Sequence, residues 1–165
     1  MAPAGLPRVV LVIVGDRAED FSRLRALAIG LSVAERVVLI GKALNIAVPE
    51  YLWAADVLVM PYTSRTPTVR YISPLKMSEY MAAGRPIVDT DVPVVREIVR
   101  DGDTALLVKA DSGEALRESV AAILGNAGLA RKMSLTLLDQ AKSYSWKARA
   151  RRILALTMGQ GVGPA

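Results

Sequence analysis

The stretch SPLKMSEYMAAGRPIVDTD, residues 73–91, places one carboxylate, Glu79, where it could hold a polar ligand. Ser73 suits a helix N-cap and Pro74 is preorganised for the first helical position. Gly84 suits the position just past the helix end, and Pro86 stops any continuation. The spacing therefore predicts a helix over 74–83, with Leu75, Met77, Met81 and Ala82 available for packing. Glu79 lies one to two turns in, on the side of Leu75 and Ala82. The free N–H groups of such a helix start attract a phosphate, and a carboxylate just behind them could accept from a pair of sugar hydroxyls. A plainer reading stands beside this one. Lys76 and Glu79 form an i,i+3 pair on a solvated face, worth a few tenths of a kcal/mol.

The rest of the composition limits what chemistry is open. Among 165 residues there is no Cys and no His, which excludes disulfides, thiolate nucleophiles and histidine bases or metal ligands. Carboxylates, Lys, Arg, hydroxyls and backbone groups remain. The net charge of +5 is partly concentrated in KARARR at 147–152. That run suits an acidic membrane surface, or simply a solvated helix face. It lacks the interleaved aromatics of a nucleic-acid groove, so no nucleic-acid partner is expected.

A carboxylate at a helix start needs a scaffold, and the pattern supplies one. Apolar runs closed by turn residues predict strands at 8–16, 36–41, 57–62, 87–90 and 104–108. Helical spacing predicts helices at 18–33, near 48–55, at 94–100, and two or three more over 112–158. The segment 63–72 has no consistent period and reads as a loop. Strand and helix alternate, which argues for an open parallel α/β sheet with helices on both faces, where ligands sit beyond the carboxyl ends of the strands. The 52% hydrophobic content suits a packed domain of this length, and 5% aromatics leave Val, Ile, Leu, Ala and Met to fill its core. The apolar runs are too short to cross a bilayer and no signal peptide opens the chain, so a cytoplasmic location is expected.

Several of these segments, in this order, resemble the C-terminal domain of retaining GT-B glycosyltransferases of the group 1, family 4 type. They are VVLVIVGD, RVVLIGKA, YLWAADVLVMPY, SPLKMSEYMAAGRPIV, DVPVVREIVRDGDTALLV and YSWKARARRIL. The resemblance covers residues 8–155. It implies one Rossmann-like donor-binding domain over 1–158 and a flexible tail at 159–165. It also implies a nucleotide-diphospho-sugar donor, UDP- or GDP-linked, with no metal and no other cofactor. By position, Glu79 matches the glutamate that bonds the ribose hydroxyls. Ser73, Pro74 and Leu75 match the loop and helix start beside the diphosphate and sugar. Lys42, Ala43 and Leu44 match the backbone that reads the nucleobase. No catalytic residue is assigned.

Two departures qualify the match. Tyr71 stands where many members carry a second glutamate near the donor sugar, and Lys76 is the residue expected to take over some of that contact. The family's first strand and helix, whose loop supplies an Arg and a Lys to the diphosphate, have no counterpart here, nor does the N-terminal acceptor domain. Arg65 and Arg70 lie in the 63–72 loop, but no matched motif places them on phosphates. The missing strand would leave edges on the strands at 8–15 and 57–61. The expectation is therefore a closed-up sheet, a homo-oligomer, or a partner chain that completes the fold; an N-terminal acceptor-domain partner is expected for activity. Peripheral membrane contact through the basic C-terminal helix is a further expected partner. Two other readings stay open. One is a non-catalytic interaction or regulatory module on the same fold. The other is a phosphoacceptor receiver domain, which would need an acidic pair after the first strand where only Asp16 is near. Asp89 and Asp91 are expected as turn residues, and Trp53 and Trp146 as packing residues.

Overall fold

Two runs of branched aliphatic side chains, Leu11–Val14 and Val37–Ile40, form parallel strands β1 and β2 with Leu11 opposite Val37 and Val14 opposite Ile40. These belong to a computed structural model that describes residues 9–15, 18–65, 69, 71 and 73–158. Helix α1, Ala18–Gly30, joins the two strands. It ends in a Schellman turn: Val33 N–H donates to the Ala28 carbonyl (2.9 Å) and Ser32 N–H to that of Ile29 (2.9 Å). Ser32 takes the left-handed conformation of that motif, φ 55°, without being glycine. A short 3-10 turn at Ala34–Arg36 then leads into β2. Gly15 N–H donates to the Ile40 carbonyl at 3.0 Å and extends the ladder by one bond.

The chain divides into two compact units, residues 1–51 and 52–165, with helix α2, Val48–Ala54, running across the division. In the first unit, Ala28 is the one fully buried residue among those described. Beneath α1, Arg25, Ala28, Ile29, Ala34, Val37 and Leu39 line an open hollow of about 210 Å³.

The second unit is built on a three-stranded parallel sheet in the order β3-β4-β5, with β3 at Leu58–Met60, β4 at Ile87–Thr90 and β5 at Leu106–Val108. Successive side chains of β4 serve opposite faces, as strand geometry requires. Ile87 joins Met77, Met81, Val95, Val99 and Leu137, while Val88 joins Val108, Ile123 and Met133. The helices are α3 at Leu75–Ala83, α4 at Pro93–Arg96, α5 at Gly113–Leu124, α6 at Ala127–Ala141 and α7 at Trp146–Thr157. Ser112, Asn126 and Ser145 cap α5, α6 and α7 by accepting from Ala115, Leu129 and Ala148 N–H. Gly84 ends α3 at φ 63°, and a β-carbon there would come within 2.7 Å of the Leu138 side chain on α6. Glycine is thus required both by the backbone angle and by the close approach of α6.

The alternating layout expected from the sequence is present, with ends moved by a few residues. The 3-10 turns at Ala34–Arg36 and Lys142–Tyr144 were not expected. Among the described residues β1 and β3 each have a ladder on one edge only. The 159–165 tail lies outside the described residues, as do Asp16 and Arg70.

Candidate functional site

Helix α3 begins differently from the pattern its sequence suggests. Pro74 is the cap rather than the first helical residue, at φ −76° and ψ 77°. Those angles are those of an inverse γ-turn. Leu75 N–H accordingly donates back to the Ser73 carbonyl at 2.8 Å, and Met77 N–H to the Pro74 carbonyl at 2.9 Å. With proline as the cap, no side chain caps α3. The proline ring fixes φ, but ψ is free to leave the helical range, and the γ-turn consumes the Leu75 amide that a serine cap would have left open. The Lys76 N–H keeps no backbone acceptor among the described residues.

On this helix Met77 and Met81 point into the core with no exposure. Leu75, Glu79 and Ala82 share the opposite, solvated side, as their spacing requires. Leu75 is 74% exposed, so it does not pack as expected. Lys76 is exposed as well, and no Lys76–Glu79 ion pair forms. Glu79 has no ion-pair partner among the described residues. Tyr71, in the preceding turn, is 86% exposed. Tyr71, Ser73, Lys76 and Glu79 therefore form one exposed approach to α3, with Pro74 half-buried beneath it.

The loops that carry this approach are tied across the carboxyl ends of the three strands. Tyr62 N–H donates to Thr90 Oγ1 (2.8 Å), and that hydroxyl donates back to the Tyr62 carbonyl (3.2 Å). Ser64 donates to Asp111 Oδ2 from both N–H (3.0 Å) and hydroxyl (2.5 Å). Those donors, with the Thr63 hydroxyl, hold the Asp111 carboxyl below the ordinary range. Asp91 N–H donates to the Val108 carbonyl (2.7 Å) and its carboxylate pairs with Arg96. Thr90 and Asp111 escaped the sequence reading, although Thr90 is the last residue of β4 and Asp111 lies in the loop after β5, at the strand ends where the α/β layout places functional groups.

Asp89 is not the turn residue expected. It lies inside β4 with 0% exposure, facing the side of the sheet where Tyr62 and Tyr80 sit. Its Oδ1 accepts from Thr90 N–H at 2.6 Å, while Oδ2 is buried without a partner among the described residues. Burial pushes its carboxyl up to about 7, against the opposing Thr90 N–H. Trp53 and Trp146, expected as packing residues, are exposed. Arg65 is exposed too, and its N–H donates to Thr63 Oγ1 at 3.2 Å.

In the first unit, Lys42, Ala43 and Leu44 follow β2. Lys42 and Leu44 are exposed, and Ala43 is half-buried. Among the described residues no three His, Cys, Asp or Glu side chains gather as a metal centre would require. No helix among them is long and apolar enough to cross a membrane.

The family described as glycosyl transferases group 1 matches residues 2–126. The D-inositol 3-phosphate glycosyltransferase of Nocardia farcinica is 28% identical over 148 residues, which are 88% of this chain and 32% of that protein. The phosphatidyl-myo-inositol mannosyltransferase of Mycobacterium leprae is 29% identical over 146 residues, again 88% of this chain and 37% of its own. Among solved structures, sucrose-phosphate synthase from Thermosynechococcus elongatus superposes with a TM-score of 0.76 at 24% identity, covering 96% of this chain and 39% of that one. Anabaena HepE, crystallised with UDP and glucose, gives 0.76 at 19% identity, covering 94% and 41%. The chain spans about a third of the length of the curated relatives it matches.

Proposed function

Because the chain belongs to the group 1 glycosyl transferases and has the α/β fold of their C-terminal domain, we propose that it binds a nucleotide-diphospho-sugar, UDP- or GDP-linked, for retaining, metal-independent hexosyl transfer. Residues 1–158 serve as the donor-binding domain. The carrying observation is Glu79: exposed, without an ion-pair partner among the described residues, and one turn behind the start of α3. Its carboxylate accepts from the ribose hydroxyls. The Lys76 amide, left open in the first turn among the described residues, and Ser73, Pro74 and Leu75 lie beside the diphosphate and sugar, where a helix N–H stabilises developing negative charge. Lys76 takes over some of the polar contact with the donor sugar that a glutamate at position 71 would make. Lys42, Ala43 and Leu44 read the nucleobase. The acceptor half comes from a further domain, a partner chain or a second copy, so this chain by itself is catalytically incomplete. A cytoplasmic location, with the basic C-terminal helix against a membrane surface, goes with this reading.

Titration calorimetry with UDP and GDP tests it. Binding at about millimolar or tighter, on the order of −4 kcal/mol, is expected for one nucleotide. Glu79→Ala should weaken it about tenfold, the loss of one charge-assisted pair of hydrogen bonds. Absence of binding to both nucleotides would favour the second reading, a non-catalytic interaction module, to which the exposed Tyr71 in place of a glutamate already points.

A further inference from the structure

Helix α3 is seated over a buried acid. Asp89 is the third residue of β4, the central strand of its sheet, with Met60 opposite it on β3 and Leu107 on β5. It shares a face of that sheet with Ile87, two residues back, whose cluster takes in Met77 and Met81 of α3, Val95 of α4 and Leu137 of α6. The Asp89 carboxyl makes no ion pair among the described residues. Thr90 N–H serves Oδ1, and Oδ2 is buried with no partner among those residues.

Two phenols flank this carboxyl. Tyr62, just beyond β3, and Tyr80, on α3 beside Glu79, are half-buried against the same cluster. Burial first, and the charge of Asp89 second, push both hydroxyls above their ordinary range. The next influence on Tyr80 is Glu79, and on Tyr62 it is Tyr80. Toward this face β3 and β5 offer Met60 and Leu107, and α4 and α6 offer Val95 and Leu137. The charged neighbours in sequence, Asp91 and Arg96, pair with each other at the surface. The residue that bonds Asp89, Thr90, also anchors the Tyr62 backbone through its hydroxyl.

A neutral carboxyl suits these surroundings, because an ion inside an apolar cluster needs donors or water at both oxygens. Oδ2 gains them when a tyrosine hydroxyl turns inward or water enters between β4 and α3. Either event shifts the helix whose outer side carries Glu79 and whose first turn carries the open Lys76 amide. We propose that Asp89 is a positioning residue for nucleotide binding: neutral, it lets α3 seat against β4, and ionised, it unseats α3 and Glu79 with it. The donor reading of α3 is its premise, and regulation of that same site is what it adds. A nucleotide that selects the seated helix selects the protonated carboxyl. Binding is therefore strongest in mild acid and weakens as pH rises, with a proton taken up on binding above neutrality.

Titration calorimetry with UDP and GDP at about pH 6 and about pH 8 compares the full chain with Asp89→Asn, a side chain of the same shape that stays neutral. Burial pushes the carboxyl up to about 7, so wild-type affinity should fall about tenfold between those conditions, as the seated fraction falls. Asp89→Asn should change by less than about twofold, a figure that also measures any titration of the nucleotide's own phosphate. Hydrogen exchange of the wild type without nucleotide is the second arm. Corrected for intrinsic rates, the α3 amides should lose about tenfold more protection over the same interval than those of α5, which packs on the opposite face of β4. Equal pH profiles of binding in the two chains overturn Asp89 as the positioning residue and leave the donor reading standing. Equal losses of protection in α3 and α5 mark an acid that acts on the whole fold, and overturn it too. Binding of neither nucleotide at either pH overturns the donor reading, and the role of Asp89 with it. The exchange arm needs no variant, so it decides whether or not Asp89→Asn folds.

Discussion

Strands β1 and β4 invert what their sequences suggest about burial. LVIV in β1 is wholly apolar, yet Leu11, Val12 and Val14 are exposed. IVDT in β4 carries a carboxylate and a hydroxyl, yet all four residues are buried. The difference lies in what surrounds each strand. β4 has a ladder on both edges and an apolar cluster on each face. β1 has one ladder, and α1 leaves a hollow of about 210 Å³ in the same unit. A continuous β-branched run is what a strand buried on both faces requires, so β1 carries the sequence of a central strand in the setting of an edge. Composition states how much burial a segment can use, and its neighbours decide how much it receives.

Removing a core side chain of the second unit should sharpen this contrast most. Met81 on α3 is fully buried in the cluster that holds Met77, Ile87, Val95, Val99 and Leu137, and Met81→Ala leaves a cavity there. The expected cost is about 2–5 kcal/mol, read as a lower urea midpoint at unchanged slope. A cost below about 1 kcal/mol would mean that this core is as loosely held as the first unit.

Next in size is the pH dependence of β4. The Asp89 carboxyl rises from an ordinary 3.8 to about 7 on folding, with burial as the first cause and the Thr90 N–H opposing. The folded chain therefore holds a proton that the unfolded chain has already released. The Asp89 contribution to stability is greatest in acid and falls as pH climbs from about 4 through about 7, the reverse of a salt-bridged carboxylate. Between pH 5 and pH 7 the loss should be about 2 kcal/mol, from one proton per molecule over that window. Asp89→Asn, which stays neutral, should flatten the slope. A wild-type curve rising over the same interval would show that Asp89 ionises in the fold at little cost.

These two positions also mark how far the sequence could be read. Gly84 marked the end of α3, and the structure agrees; of the four residues offered for packing, Leu75, Met77, Met81 and Ala82, only Met77 and Met81, four residues apart, are buried. Leu75, Glu79 and Ala82 fell together on the other side for the same geometric reason. The helix start was not legible, because Ser-Pro before a helix is compatible with a serine cap or with a γ-turn on the proline. The choice depends on ψ of Pro74, which no local pattern sets. Asp89 was misplaced because DTD after an apolar run carries the marks of a turn. The cover that draws it inside β4 comes from the ladders of β3 and β5 on its edges and from the clusters on its two faces, which include Leu137 and Met133 of α6, distant in sequence. Trp146 was expected as a packing residue, yet the helix turns Ala148 and Ala155 inward instead.

The smallest expected effect, at β1, separates the readings of its exposed side. Val12→Thr keeps the β-branched shape that strands favour and changes one methyl to a hydroxyl. If the Val12 side chain stands in water, as its 49% exposure indicates, the substitution should shift stability by less than about 0.5 kcal/mol at any protein concentration. If a second copy covers β1 in solution, the hydroxyl enters an apolar contact and costs about 1–3 kcal/mol. That cost would appear with a wild-type midpoint that rises with protein concentration, since association adds to apparent stability by mass action. Urea unfolding of both proteins at two concentrations well apart therefore reads burial and assembly together. A small, concentration-independent shift leaves β1 open for a partner of different sequence. A large, concentration-dependent one makes the chain its own partner, and the contrast between β1 and β4 would then hold for the lone chain and disappear in the assembly.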